Sequence, residues 1–437
     1  MLKNLNKNSV AGLTAIFNAI LRFNYFPNAW KTAIVLPFRK PGKDPRRPEH
    51  YRPISLLPSI SKIFERLLLK RLNKYLKDTD AIPDIQFGFR ANHSCTHQLL
   101  RLTEYIAQSF QEKKHTLAAF LDIAQAYDRV WHTGLLFKIR QLGIPEYIQN
   151  IIKGFISDRK FKVKINHSFS TLRNITAGVP QGSVLSPVLF NIFMNDIPKC
   201  SNVETALFAD DTALFSASSD INLAFNRVQN NLNTLIQWTK KWRIAINSQK
   251  CQTKIFTLRR PLIPPNLKVD DNEIPWKSEP IKYLGVLLDK KLTWKPHIHA
   301  AINKSNAKIL KLYPLINQHS TLNTKCQILL YKSIILPTLT YACPVWGNAA
   351  PTTIQKLQIV QNKVLRKSIK APWFIPNHQI HRELQMETVL EHIKKLANNF
   401  YSSLPSSHAT LIFQLGRTAN IPSRIKSKFP KDMLKPP

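Results

Sequence analysis

The sequence predicts an α+β fold that gives way, near residue 290, to a mostly helical second half. Three observations carry this. Strand-like apolar or alternating runs recur at 32–37, 116–123, 160–166, 203–216, 253–257 and 281–288; helical spacing of apolar residues fills the stretches between them; and after Trp294 the strand signal fades.

In chain order, Thr32-Ala-Ile-Val-Leu36 opens the strand pattern and, with Pro27 and Trp30, marks residues 1–43 as folded material. Because the first acidic residue is Asp44, that stretch could be mistaken for a transit peptide. A helix is predicted over 61–76, followed by the run Thr116-Leu-Ala-Ala-Phe-Leu-Asp122, which reads as a buried strand ending on a carboxylate. Further helices are predicted over 135–142 and 187–197, the latter with Ser186 and Pro187 as an N-cap and first-turn pair. The segment 205–215 reads as a hairpin. Residues 221–242 place Leu223, Phe225, Val228, Leu232, Leu235, Ile236 and Trp238 at helical spacing. Helices over 302–312, 325–341, 353–369 and 388–400 complete the pattern, and the Lys- and Pro-rich end, 423–437, is expected to fray.

The 63 Lys and Arg exceed the 26 Asp and Glu by 37, while hydrophobic residues make up 44% of the 437. So basic a chain, yet rich enough in apolar residues to fold, points to a polyanionic partner, nucleic acid or an anionic membrane. Only 11 Gly occur, with neither a Gly-x4-Gly-Lys-Ser/Thr nor a Gly-x-Gly-x-x-Gly stretch, which excludes the common loop-based nucleotide sites. Cys95, Cys200, Cys251, Cys326 and Cys343 form no Cys-x2-Cys pair and no zinc-spaced cluster, so a reducing, intracellular setting is expected. The most apolar late stretch, 328–346, carries Lys332 and Pro337 and reads as a buried helix rather than a membrane span.

The chemistry concentrates at Thr205-Ala-Leu-Phe-Ala-Asp-Asp-Thr-Ala-Leu-Phe215, two apolar arms with Asp210 and Asp211 between them. Two-residue hairpin turns favour Gly, which Ala-Asp-Asp lacks, so turn chemistry does not explain the choice. The tip is either a solvated hairpin end or a metal site. Adding the strand that ends at Asp122 favours the metal site, because carboxylates from neighbouring strands supply the hard oxygens Mg2+ requires for in-line phosphoryl transfer between two cations. Asp128 is a weaker candidate, reading equally as a charge at a helix N-terminus. Gln181, between Gly178 and Gly182, sits on a strand-to-helix loop that, beside two carboxylate strands, reads as a substrate platform.

These residues carry a family resemblance. Tyr51-Arg-Pro-Ile-Ser-Leu-Leu57, Ser61-Lys-Ile-Phe-Glu-Arg66, Gln86-Phe-Gly-Phe-Arg90, the block from Leu121 to Val130, Gly178-Val-Pro-Gln-Gly-Ser183, Phe208-Ala-Asp-Asp211 and Tyr283-Leu-Gly-Val-Leu-Leu288 follow one another in order. Together they resemble the reverse transcriptases of non-LTR retrotransposons, especially jockey-type elements of animals. The resemblance implies a right-hand polymerase with an antiparallel palm sheet and a helical thumb, copying an RNA template from a DNA primer with deoxynucleotides and two Mg2+ ions. It implies fingers with part of the palm in 1–115, the palm in 116–290, the thumb in 291–370 and a C-terminal helical region with a basic tail in 371–437. Asp122, Asp210 and Asp211 then match the catalytic, metal-binding carboxylates, and Gln181 and Phe208 match residues lining the nucleotide site. Tyr127 matches the aromatic under the sugar, where a ring would clash with a 2′-hydroxyl; it could equally be a core aromatic. Lys40 and Arg52 match finger cations near the triphosphate, or are solvated charges. The strand 283–288 matches the one that positions the primer end. Trp294, Trp346 and Trp373 could stack bases, though their spacing beside Leu and Ile suits a core.

The chain starts inside what resembles the fingers, without the endonuclease such elements usually encode first, and no Cys/His knuckle follows the thumb. An active polymerase therefore competes with a truncated remnant that binds nucleic acid without turnover. A basic membrane-surface protein is disfavoured by the carboxylates, and a nuclear or cytoplasmic location is expected.

Overall fold

The computed structural model describes residues 4–42, 44–260, 263–317, 319–404, 410–418 and 428–435. Its strands are β1 (Thr32–Arg39), β2 (Tyr51–Leu56), β3 (His115–Asp122), β4 (Lys160–Ile165), β5 (Ser168–Phe169), β6 (Arg173–Asn174), β7 (Glu204–Phe208), β8 (Asp211–Ser218), β9 (Gln252–Phe256), β10 (Leu267–Val269), β11 (Asn272–Ile274), β12 (Ile281–Tyr283) and β13 (Val286–Leu288).

β3 is apolar along almost its whole length because it is covered on both faces. It lies inside the order β7-β8-β3-β9, with every pair antiparallel. Since successive side chains of a strand alternate, Leu117, Ala119 and Leu121 enter one core while Ala118 and Phe120 enter another. The first core is closed by helices that include Ser59–Asp78, Ser186–Phe193 and Ile221–Lys241. The second is closed by the helix Cys95–Gln111 and by the helical second half, whose Trp294 and Trp346 are fully buried.

A second sheet runs β2-β1-β4-β5, with β6 also on β4; β1 and β4 are parallel and the remaining pairs antiparallel. β2 carries Pro53 and is an edge strand, where the missing N–H costs no ladder bond. Pro37 of β1 lies beyond the residues that pair with β4.

The structure corrects three expectations about elements. Residues 281–288 are not one strand but the hairpin β12–β13, because Leu284 and Gly285 both take positive φ, 43° and 86°, and reverse the chain. The helix expected over 325–341 is interrupted by a π-turn at Tyr331–Ile335, just ahead of Pro337, whose missing N–H leaves the regular ladder incomplete. The C-terminal end does not simply fray. Residues 423–427 and 436–437 of that stretch lie outside the described residues, but Pro430–Leu434 forms a short helix, Phe429 is buried, and Asn348 Nδ2 donates to the Lys428 carbonyl at 3.0 Å. Two apolar anchors, Phe429 and Met433, outweigh the Lys and Pro content around them. All five cysteines are free thiols. No helix among the described residues is long and apolar enough to cross a membrane.

Glu104 ties the helix Cys95–Gln111 to the C-terminal segment, its Oε1 accepting from the backbone N–H of Gly416 and of Arg417, both at 3.0 Å. Burial pushes its carboxyl up to about 7, against those two bonds and the nearby Arg417 and Lys431. A folded-state value above the unfolded one means the folded chain keeps a proton that the unfolded chain has released. Stability should therefore fall as pH rises from about 4.5 through 7 and level off above, by on the order of 3 kcal/mol from this group. Thermal denaturation across that range should give a flatter profile for Glu104→Gln; parallel profiles would assign the pH dependence elsewhere.

Candidate active site

β7 and β8 pair Phe208 with Asp211, which leaves Ala209 and Asp210 as a two-residue turn. Ala209 has φ of 57°, at the position where such turns ordinarily place Gly, and an L-residue there costs about 1 kcal/mol or more. The turn is held from outside. Gln86, itself buried, accepts through Oε1 from the N–H of Ala209 at 2.9 Å and of Gly88 at 2.8 Å, and its Nε2 donates to the Ala209 carbonyl at 3.4 Å. Gly88 lies so close that a Cβ there would stand 2.2 Å from the Ala209 nitrogen. The Gly88 carbonyl in turn accepts from Asn191 Nδ2 at 2.9 Å. The block 86–90 is thus packed against the hairpin whose turn it stabilises.

The antiparallel register sets Asp122, last residue of β3, directly opposite Asp211, with Asp210 in the adjoining turn. Burial raises the Asp210 carboxyl; a bond from its own backbone opposes this, the Asp122 charge adds to it, and Arg52 and Lys250 pull it back. Asp211 keeps access to solvent, yet the protein massed around its carboxyl, and then Asp210 and Asp122, push it up to about 6. Lys250 Nζ stands 3.1 Å from Asp122 Oδ2, and the Asp122 carbonyl accepts from the Asn247 N–H at 2.8 Å. Among the described residues no group of three or more His, Cys, Asp or Glu is arranged to hold a metal ion. The donor chemistry nevertheless fits Mg2+, which takes one or two carboxylates and completes its shell with water and substrate phosphate. The mutual repulsion among these carboxylates is what a cation relieves.

The loop 178–185 is tied to the segment that follows β3, the Gly178 and Val179 N–H groups donating to the Val130 and Tyr127 carbonyls, both at 2.8 Å. Its Gln181 carbonyl accepts from the Ser55 N–H of β2 at 2.7 Å, and its side-chain Nε2 donates to Asp128 Oδ1 at 3.0 Å. Asp128 precedes the helix His132–Gln141 by four residues, so it serves as a loop partner of Gln181 rather than as a first-turn charge. Burial raises its carboxyl and the Gln181 bond partly offsets the rise. Gly182 has φ of 120°, and a Cβ on it would meet the Ser55 carbonyl at 2.6 Å. Behind the loop, fully buried Glu65 accepts through Oε2 from Ser183 Oγ at 2.6 Å and from the Val184 N–H at 2.8 Å, and through Oε1 from Ser61 Oγ at 3.0 Å. The helix that follows begins one residue earlier than expected. Ser186 is inside it and its hydroxyl has no partner, while Ser183 Oγ accepts from the Leu185 N–H at 3.0 Å.

Tyr127 stacks on Phe190, with centroids 5.0 Å apart and planes 20° from parallel, and meets Phe89 edge-on. Its buried hydroxyl has no hydrogen-bond partner; burial, and secondarily the Asp210 charge, raise its pKa. Arg52 acts on Asp210. Lys40 is not brought to the carboxylates in the same way: its ammonium donates to the Glu49 carbonyl at 2.8 Å, within the β1–β2 connection. Phe208 is half-buried against the second core. The β12–β13 turn reaches the site, since Tyr283 and Leu284 line a cavity of about 420 Å3 together with Asp122, Asp211, Lys250 and Lys282. Gln86, Lys250 and Glu65 were not singled out by sequence as site residues. Gln86 and Glu65 do fall within two of the blocks that carry the family resemblance, the signal that could have found them, whereas no pattern marks Lys250.

An antiparallel sheet ending in carboxylates, a second sheet feeding a cation towards them and a glycine-flanked loop bonded both to that second sheet and to the turn after β3 define a nucleic-acid polymerase fold of the right-hand class. The reverse transcriptase (RNA-dependent DNA polymerase) family profile matches residues 38–288. This chain is 37% identical, over 99% of its own length, to a probable RNA-directed DNA polymerase from transposon X-element of Drosophila melanogaster. It is 38% identical over 95% to that from transposon BS, and 36% identical over 96% to the RNA-directed DNA polymerase from mobile element jockey, both also of D. melanogaster. The chain belongs to the reverse transcriptase (RNA-dependent DNA polymerase) family, and the relatives it resembles are polymerases of transposons and mobile elements. It spans about half the length of these relatives: 48%, 46% and 47%.

Removing the Gln86 side chain would strand the Ala209 N–H in the strained turn and the Gly88 N–H in the segment packed against it. Gln86→Ala should cost about 1–3 kcal/mol, measured by denaturant unfolding. An unchanged midpoint would show that the turn holds itself.

Proposed function

We propose that this chain is an RNA-directed DNA polymerase, adding deoxynucleotides to a DNA primer along an RNA template. The observation that carries the proposal is the register that sets Asp122 against Asp211, with Asp210 beside them and Arg52 in range. Asp122 and Asp210, with Asp211 as their neighbour, would hold Mg2+ together with the oxygens of the incoming triphosphate. Two such ions, when bound, supply activation of the primer 3′-hydroxyl and charge neutralisation on the pyrophosphate.

The remaining roles belong to side chains. Arg52 presents a guanidinium fork to the triphosphate, whereas Lys40, engaged with Glu49, braces the connection that carries Arg52. Lys250 neutralises Asp122 until substrate arrives. Gln181, its amide oriented by Asp128 and its backbone by Ser55, lies against the nucleotide with Phe208 nearby. Tyr127 stands on the sugar's 2′ side, and Phe190 behind it prevents the ring from retreating, so a ribose hydroxyl meets a fixed wall. The primer end occupies the cavity under the β12–β13 turn, where Lys250 and Lys282 meet its phosphates.

Residues 1–115 would then serve as fingers with part of the palm, 116–290 as palm, 291–370 as thumb and 371–437 as a C-terminal helical region. Between Lys290 and Arg382 there are fourteen Lys and Arg and no Asp or Glu, a composition suited to gripping a duplex by its phosphates. Five free thiols suit an intracellular site of action, nuclear or cytoplasmic.

Primer extension on an RNA template with Mg2+ and deoxynucleotides should be abolished by Asp210→Asn, with RNA affinity retained and binding that weakens steeply as salt rises. No extension by the parent chain, with salt-sensitive RNA binding intact, would make it a nucleic-acid-binding protein without turnover. Tyr127→Ala should admit ribonucleotides at least tenfold more readily relative to deoxynucleotides; unchanged sugar selectivity would return Tyr127 to a purely packing role.

A further inference from the structure

The three tryptophans that sequence marked as possible stacking residues part company in the structure. Trp294 and Trp346 are core residues whose indole N–H groups donate to Asn348 Oδ1 and to the Tyr341 carbonyl. Trp373 is 90% exposed, and its neighbour Phe374 is 67% exposed. Their rings lie 6.0 Å apart and nearly perpendicular, at the tip of the short connection between the helices Pro351–Ser368 and Asn377–Glu383.

This connection is built to hold its shape. Arg366 donates through Nη1 to the Pro372 carbonyl at 2.7 Å and through Nη2 to the Ile375 carbonyl at 2.7 Å and Asn377 Oδ1 at 2.9 Å. Backbone bonds from Ala371 to Arg366 and from Ile375 to Pro372 close it further. Two large apolar rings are therefore displayed in water on a loop whose ordering is already complete, which lowers the entropy cost of binding something there. Lys363 and Lys367 are exposed on the last turns of the preceding helix and Lys370 at the start of the connection, all within the acid-free stretch described above.

We infer that the Trp373–Phe374 tip is a stacking site for unpaired bases of an RNA strand. Every base offers a π-face, so stacking is tolerant of sequence, while the flanking lysines meet the backbone phosphates. A lipid surface is the poorer occupant, because interfacial binding relies on the continuous apolar face of an amphipathic helix rather than on two rings at a turn. The inference rests on the proposed nucleic-acid-binding role of the helical second half, and adds to it a contact specific to single strands.

The test compares the whole chain with a Trp373→Ala/Phe374→Ala double variant. Anisotropy would be measured on a labelled blunt RNA duplex, on the same duplex carrying a single-stranded overhang, and on phosphatidylserine vesicles. Both side chains face solvent, so the variant should fold as the parent does. The expected result is about tenfold weaker binding of the overhang, an unchanged blunt duplex and an unchanged salt slope, with Trp373→Tyr recovering most of the loss. Equal affinities of parent and variant for the overhang, or an equal loss on both RNAs, overturn the stacking site. Loss of vesicle binding with RNA binding intact assigns the tip to a lipid surface instead. Should the parent bind neither RNA, the nucleic-acid reading of the helical half fails with it.

Discussion

Like charges placed opposite one another across a pair of strands repel, and the central sheet does this deliberately at the Asp122–Asp211 pair. The surrounding structure can be understood as the set of contacts that make the placement tolerable. Lys250 neutralises Asp122, Arg52 moderates Asp210, and Gln86 fixes the backbone of a turn that Ala209 would not choose by itself. None of these removes the repulsion. They contain it, so that carboxylates remain crowded where a cation would be attracted.

The loop carrying Gln181 is constrained by the same economy of contacts. Its outer side is bonded to β2 through Ser55, its side chain to Asp128, and its inner side to a buried carboxylate, Glu65, that gathers a hydroxyl and a backbone N–H. Glycine is required at 178 and 182 because the Asp128 and Ser55 backbones come within 3 Å of where a Cβ would sit. Gln181 is thus fixed at once by an edge strand, by the turn that follows β3 and, through the residues after it, by the helix Ser59–Asp78.

How much of this could be read in the sequence depended on distance along the chain. The β7–β8 hairpin and the burial of β3 were legible because strand periodicity and apolar runs are local. Helices such as Cys95–Gln111 and strands such as β2 escaped notice, the latter because Pro53 argues against a strand until one knows it lies at an edge. The β12–β13 reversal was hidden because a Leu at positive φ is not a turn signal; Gly285 was the only cue. Asp122, Asp210, Asp211, Gln181 and Tyr127 could be picked out as residues, but their partners could not. Gln86 meets Ala209 across 123 positions and Lys250 meets Asp122 across 128, separations that no pattern within one sequence encodes.

The order of strands also dictates a schedule. β3 sits between β8 and β9, both of which follow it in the chain, so when its last residue leaves the ribosome neither neighbour has been made. At about 5–20 residues per second, the roughly ninety residues to β8 represent some 5 to 20 seconds in which an almost wholly apolar segment has no native edge to join. During that interval the elements already made that pack on its two faces include the upstream helices Ser59–Asp78 and Cys95–Gln111. The sequence that makes β3 a good centre for the finished sheet also leaves it with two open edges while the rest of that sheet is being made.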